Sequence, residues 1–414
     1  MKVAANLLPR RACGPLLEAL TDTRVVVVNG ARQVGKSTLA ETVVRKRPGG
    51  IARFLDEAAP REAATADPAA FVEHAGLMLI DEVQRVPDLW LAIKHTVDRD
   101  PRPGRFLLTG SARLQVLRSL PDALVGRSET IELWPLSQGE IDGEPDGFVD
   151  AAFARGADLL IDAEGMGKKD YLDRVLRGGY PEAVRRATEA RRRQFFSAYL
   201  SDLIVRDFQQ VAEVHKVTEL RRLLSLLAAP AGAVLNSARL SSALELDVRT
   251  VNHYLDMLET IFVIRRIPGW SAGAGARPIK KPKVHFTDTG LAGFLSGTAT
   301  SQPTVQGGLL ENFVVGELGR QLTWCETQAQ LFHFRDYEKT EVDAVIESYG
   351  GEVVAIEVKA SETARSEDFK ALKALQARVG DRFRAGFLLY CGRQSLPFGE
   401  RLAALPIAAI WRCG

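Results

Sequence analysis

Residues 25–37 read Val25-Val26-Val27-Val28-Asn29-Gly30-Ala31-Arg32-Gln33-Val34-Gly35-Lys36-Ser37, an apolar run that ends in a loop bounded by two glycines and then opens a helix. Strand, glycine loop and helix in this order form a phosphate-binding loop. Gly30 and Gly35 let the backbone curl until successive amide hydrogens face one anion, and the helix that follows adds its positive N-terminal dipole. Residues Gly30, Ala31, Arg32, Gln33, Val34, Gly35, Lys36, Ser37 and Thr38 are therefore the candidate nucleotide contacts. Lys36 is placed to reach terminal phosphates, and the Ser37 hydroxyl is a candidate magnesium ligand.

Around this loop the chain continues as alternating strands and helices. Candidate strands are Arg24–Asn29, Ile51–Leu55, Leu77–Asp81, Arg105–Thr109 and Thr130–Leu133, which predicts a parallel sheet covered on both faces. Leu77-Met78-Leu79-Ile80-Asp81-Glu82 is a buried strand ending in two acids, about 45 residues beyond Lys36. Asp81 is expected to hold magnesium, and Glu82 to act as the base that orients the attacking water. Phe106–Ser111 ends another strand with hydroxyls at the same edge, so Thr109 and Ser111 are candidates to bond the water or the terminal phosphate, or simply to cap a helix. Arg127 is a candidate to stabilise phosphate charge, from its own chain or from a neighbouring subunit. A water-activating glutamate suits hydrolysis of ATP better than transfer to an acceptor, which argues against a kinase.

At 414 residues the chain is too long for one ordinary core. We expect a P-loop domain over 1–139, a linker or insertion over 140–169, a helical and winged-helix domain over 170–296, and a small α/β domain over 297–414. Lysine and arginine total 54 against 52 acids, so no global field draws the chain to nucleic acid, and such binding must use local patches. Four scattered cysteines show neither metal spacing nor a disulfide framework, which fits a cytoplasmic protein. No apolar stretch approaches the roughly 20 residues that span a bilayer, so no membrane partner is expected. Arg10 and Arg11 resemble the start of an export signal, but Glu18 interrupts its apolar part, leaving an exposed helix before the first strand.

The middle region contains a helix-turn-helix pattern. Ser237–Leu244 reads as one helix, Glu245 and Leu246 as the turn, and Asp247 as the cap of a second helix reaching Glu259. Val248, Val251, Leu255 and Leu258 would face the core, leaving Arg249, Thr250, Asn252, His253 and Asp256 outward. Two strands, Ile261–Ile267 and Lys283–Phe286, would flank a basic wing. Arg249, Thr250, Asn252, Arg265, Arg266, Lys280 and Lys281 are thus the candidate DNA contacts, while protein-protein docking is the competing use of such a module.

In the last region Asp343 lies on one strand-like segment and Glu357-Val358-Lys359 ends the next, with Glu357 and Lys359 projecting to one face. Two carboxylates and a lysine at a sheet edge can bind magnesium and activate water, and Glu311 is a possible third acid.

Taken in order, the lysine loop, Asp81-Glu82, Thr109-Gly110-Ser111, Gly126-Arg127 and Pro135-Leu136-Ser137 resemble the prokaryotic AAA-type ATPases whose C-terminal half is a domain of unknown function. Gly178-Gly179-Tyr180-Pro181, Arg206-Asp207 and Phe286-Thr287-Asp288-Thr289-Gly290 extend the resemblance over nearly the whole chain, with Ala31 where proline is usual. The end of the chain resembles the PD-(D/E)xK nuclease fold, a small restriction-endonuclease-like α/β domain. That resemblance implies Asp343 and Glu357 as metal ligands and Lys359 as a charge stabiliser, with Val342 replacing the proline of the motif. Together these readings predict an ATP- and magnesium-dependent hydrolase, a possible homo-oligomer, whose nucleotide state controls a DNA-binding winged helix and a nuclease-like domain. The alternative is an ATP-dependent assembly switch whose nuclease-like domain is silent.

Overall fold

The computed structural model describes residues 7–111, 124–204, 217–229, 232–271, 281–297, 303–338 and 340–414. The chain forms two compact units, Met1–Pro135 with Thr260–Phe262, and Leu136–Glu259 with Val263–Gly414.

The first unit is built on the five expected strands: β1 (Val25–Asn29), β2 (Ile51–Phe54), β3 (Met78–Asp81), β4 (Phe106–Gly110) and β5 (Ser128–Glu132). Their order is β2-β3-β4-β1-β5, with every neighbouring pair parallel. All five residues of β1 and all of β3 and β4 are buried, because helices cover both faces and an apolar run satisfies both at once. Parallel strands gather their C-terminal ends along one edge. Since β4 lies between β1 and β3, Thr109 stands beside Val28 on one side and next to the Leu108–Ile80 pair on the other.

In the second unit, Ser137 opens the helix Gln138–Asp142 with a reciprocal capping box to Glu140. The stretch 140–169, expected as a linker or insertion, holds a further helix, Phe148–Arg155, whose Phe148, Val149 and Ala152 are buried. Helices Lys168–Arg177, Pro181–Arg185, Glu189–Asp202 and Val217–Ala228 follow, then Ser237–Leu244 and Val248–Thr260. An antiparallel hairpin pairs β6 (Ile264–Ile267) with β7 (Lys283–Phe286). After helices Thr289–Ser296 and Pro303–Gln321 comes a six-stranded sheet of β8 (Ala329–Arg335), β9 (Glu341–Ser348), β10 (Val353–Lys359), β11 (Phe383–Tyr390), β12 (Leu396–Pro397) and β13 (Leu402–Pro406), ordered β12-β13-β11-β10-β9-β8.

The expected boundary between residues 296 and 297 falls inside this unit. Polar side chains of the helix Pro303–Gln321 bind backbone on either side of it. Asn312 accepts from the Phe286 amide and donates to the Phe286 carbonyl, both at 2.7 Å, as a neighbouring strand would. Gln321 accepts from Val149 N and donates to Ile410 O, at 3.1 and 2.7 Å. Glu317, 1 % exposed, accepts from Gln138 N at 2.9 Å and Arg320 at 2.6 Å. Burial pushes the Glu317 carboxyl up to about 7 against the pull of Arg320. A raised folded value means stability fully present below the unfolded value near 4.5 and lost as pH rises towards 7. We expect the unfolding free energy to fall by at most about 3 kcal/mol over that window, and Glu317→Gln to remove the slope in urea titrations at several pH values. An unchanged slope would sink the assignment.

Candidate functional site

Backbone geometry shapes the loop first. A Cβ at Gly30 would overlap the carbonyl oxygen of Leu133, and Gly35 adopts φ +99° as it opens the helix Lys36–Arg45. Ala31 and Val34 are buried, so they offer backbone only, while Gln33 and Thr38 are exposed and Arg32 is half-buried. The Lys36 ammonium, 5 % exposed, donates to the carbonyls of Gly30 at 2.9 Å and Ala31 at 2.8 Å.

At the same sheet edge Asp81 accepts hydrogen bonds from the hydroxyls of Ser37 and Thr109, the latter at 2.5 Å. Burial raises the Asp81 carboxyl, the two hydroxyls oppose this, and the charge of Glu82 adds to it. This carboxylate, paired with a serine hydroxyl at a helix N-terminus, is a hard oxygen donor set suited to magnesium. Glu82 adopts a left-handed conformation, φ +55°, as the chain leaves β3 for a short 3-10 turn at Val83–Arg85. Its amide donates to Thr109 Oγ1 at 3.1 Å, and its carboxylate accepts from Gln84 Nε2 and, at 3.3 Å, from the Ser111 hydroxyl.

Thr109 Oγ1 donates its one proton to Asp81 and accepts from the Glu82 amide, so it ties the two acids together. Arg127 requires a correction. It precedes β5, its carbonyl accepts from Val25 N, and its guanidinium forks onto Asp98 at 2.5 and 3.1 Å. This is the edge where β1 and β5 begin, opposite the loop, so Arg127 does not join this site in its own chain. Arg10 was missed as a site residue. It donates to the carbonyls of Val34 and Trp134, each at 2.6 Å, bracing the loop from the N-terminal arm. Nothing local marks it, because its partners lie 24 and 124 residues away.

In the second unit the two-helix motif forms as expected, and Asp247 caps the second helix by accepting from Thr250 N at 2.9 Å. Val251, Leu255 and Leu258 are buried, joined by Tyr254 and Met257, but Val248 is 43 % exposed because it opens the helix, where no preceding turn covers it. Arg249, Asn252 and His253 are exposed. Thr250 also spends its hydroxyl on Asp247, at 2.6 Å, and Asn252 accepts from Ser237 at 2.8 Å.

Most of the expected wing lies outside the described residues, and the two arginines of β6 are half-buried and partnered. Arg266 donates to Glu259 at 2.5 Å and pairs with Asp256 at 2.8 Å, and Arg265 reaches the Gly319 carbonyl at 3.4 Å. Lys281 is exposed, and Lys280 lies outside the described residues.

At the predicted nuclease-like site, Asp343 Oδ2 accepts from the Val358 amide at 2.9 Å, just beyond the Ile356–Ala344 pair of β9 and β10. Lys359 donates to Glu357 at 2.7 Å. Burial, with the Asp343 charge adding, pushes the Glu357 carboxyl up to about 8. The Glu357 and Lys359 side chains meet on one face, and β10 is buried on both faces through Val358 because it is a central strand. The residue that sequence reasoning did not place here is Lys283. Only 1 % exposed, its ammonium lies 2.8 Å from Glu311, 2.6 Å from Glu341 and 3.4 Å from Asp343. A divalent ion therefore does not fit the acids as they stand. Among the described residues no group of three or more His, Cys, Asp or Glu side chains is arranged to hold a metal ion.

Residues 22–142 match the model of a family described as an AAA domain. This part of the chain is similar to AAA domains. Residues 168–302 and 306–410 match two further models, each described as a domain of unknown function (DUF8612 and DUF4143). An uncharacterized protein of Mycobacterium tuberculosis is 28 % identical over 423 aligned positions, covering 100 % of this chain and 87 % of that one. An uncharacterized protein of Haemophilus influenzae is 27 % identical over 59 % of this chain and 57 % of its own. Among solved structures, the Thermotoga maritima RuvB Holliday junction branch migration motor has 19 % identity and a TM-score of 0.30, covering 62 % of this chain and 89 % of its own. AMPPCP-bound DnaA from Aquifex aeolicus has 16 % identity and a TM-score of 0.30, covering 60 % of this chain and 86 % of its own. Among the described residues no helix is long and apolar enough to cross a membrane.

Proposed function

We propose that the chain hydrolyses ATP to ADP and phosphate at the loop of the first unit. The observation that carries this is the chain of hydrogen bonds from Ser37 to Asp81 to Thr109 to Glu82, which brings the loop and the acid pair to one edge. Backbone amides of residues 30–38 bind the phosphates, and Lys36 exchanges the Gly30 and Ala31 carbonyls for terminal phosphate oxygens. Ser37 and Asp81 would hold magnesium, which supplies charge neutralisation on the phosphates. Glu82, fixed by Gln84, Ser111 and Thr109, orients the attacking water and takes its proton. Release of free phosphate by the full chain tests this, and transfer to an acceptor instead would overturn it.

For output, the exposed Arg249 and His253 support DNA contact through the helix Val248–Thr260, with nucleotide state controlling the second unit. With Arg266 paired to Glu259 and Asp256, the helix and Lys281 are the described part of that surface. Expected results are turnover that rises on adding duplex DNA, and an Arg249→Ala, Lys281→Ala variant whose affinity for DNA depends less steeply on salt, by a slope of about 2. An unchanged slope would favour protein docking by this helix.

A further inference from the structure

Four acids, Glu311, Glu341, Asp343 and Glu357, converge where β9 begins and β10 ends, where the nuclease-like resemblance implies a divalent cation. A cation is already there, supplied by the chain itself. The Lys283 ammonium enters from β7 and contacts Glu311 Oε1, Glu341 Oε1 and Asp343 Oδ1 at 2.8, 2.6 and 3.4 Å. The outer oxygens are also engaged, Asp343 Oδ2 by the Val358 amide at 2.9 Å and Glu357 Oε1 by Lys359 at 2.7 Å.

Two further groups lie buried at this place with no hydrogen-bond partner: Glu357 Oε2, on a residue 8 % exposed, and both ring nitrogens of His285, 3 % exposed. The His285 Nε2 atom is 4.0 Å from Glu311 Oε1. An unpartnered imidazole and a spare carboxylate oxygen beside three acids are metal-ligand chemistry in a place where a lysine sits.

We propose that Lys283 is a tethered cation that replaces the divalent ion of this acid cluster, so that the native chain takes no metal there and the nuclease-like fold does not cut. The ammonium carries the charge that the half-buried carboxylates of Glu311, Glu341 and Asp343 require, and it ties the β6–β7 hairpin to the six-stranded sheet. It cannot, however, act as a Lewis acid or bind a water for attack on a phosphodiester, because it has no vacant coordination position. Removing Lys283 leaves the oxygens of Glu311, Glu341 and Asp343 around one point, from which inward shifts of up to about 0.5 Å at the two glutamates and of about 1 Å at Asp343 reach calcium-like distances.

The test is Mn2+ titration of the full, nucleotide-free protein by electron paramagnetic resonance, comparing wild type, Asp343→Asn, Lys283→Met and Lys283→Met with Asp343→Asn. Wild type and Asp343→Asn should bind Mn2+ alike. Lys283→Met should bind roughly ten-fold tighter or better and gain thermal stability from Mn2+, and the added Asp343→Asn should abolish both gains. Should Lys283→Met not fold at any Mn2+ concentration, Lys283→Met with Glu341→Gln, which has one charge fewer to neutralise, takes its place. Wild-type Mn2+ binding that Asp343→Asn removes, or Mn2+-dependent cutting of DNA that it removes, would overturn the proposal. So would a folded Lys283 variant with no new Mn2+ site.

Discussion

Glu82→Gln should lower ATP turnover by about 10²–10³-fold while leaving ATP affinity near that of wild type. The amide keeps the size of the side chain and can still meet Gln84 and Ser111, but it cannot take a proton from water. Because the phosphate contacts proposed above are the loop amides and Lys36, with Ser37 on the magnesium, the loss is expected in the chemical step. The matching barrier increase is about 3–4 kcal/mol. Lys36→Ala separates the two functions from the other side, since it removes the charge that meets the phosphates and should weaken binding as well as turnover. Fluorescent-nucleotide titration together with phosphate release reads both quantities. Turnover by Glu82→Gln within three-fold of wild type would remove Glu82 as the base.

Asp288→Ala should destabilise the second unit by about 3–5 kcal/mol. Asp288 is 0 % exposed, and its carboxylate accepts from Gly179 N at 2.7 Å and from Leu291 N at 2.9 Å. One bond caps the helix Thr289–Ser296 and the other holds the turn that follows Lys168–Arg177, so a single carboxylate joins segments 109 residues apart. Alanine would leave two buried amides unpaired and the helix uncapped. Thr289 reinforces the junction by donating to the Val175 carbonyl at 2.8 Å. Urea denaturation followed by tryptophan fluorescence measures the effect, and a change below about 1 kcal/mol would contradict this role. The two motifs read from the sequence as Gly178–Pro181 and Phe286–Gly290 thus meet in a structural joint.

How legible each feature was follows from the distance between the groups that make it. The five strands of the first unit, the phosphate loop and the acid pair are each contiguous, and their burial on both faces is written in runs such as Val25–Val28 and Leu77–Ile80. The capping of the second helix by Asp247 is equally local. Thr109, Arg127 and Arg266 carried the right residue types but needed their partners, because a hydroxyl proton or a guanidinium has a role only once its acceptor is known. Asp81, Asp98 and Asp256 supply those acceptors.

By itself the sequence determined the class of the first unit and the chemistry available at its sheet edge, since strand, loop and helix arise from neighbouring residues. Only the tertiary structure decided where charge is spent. Strand β4 inserts between β1 and β3 and so turns Thr109 into the link between the acids, while Arg127 is left at the opposite edge. Lys283, one of a run of basic residues in sequence, is buried against Glu311 and Asp343, 28 and 60 residues away. A buried cation takes its identity from the anions around it, and no local pattern records which anions those will be.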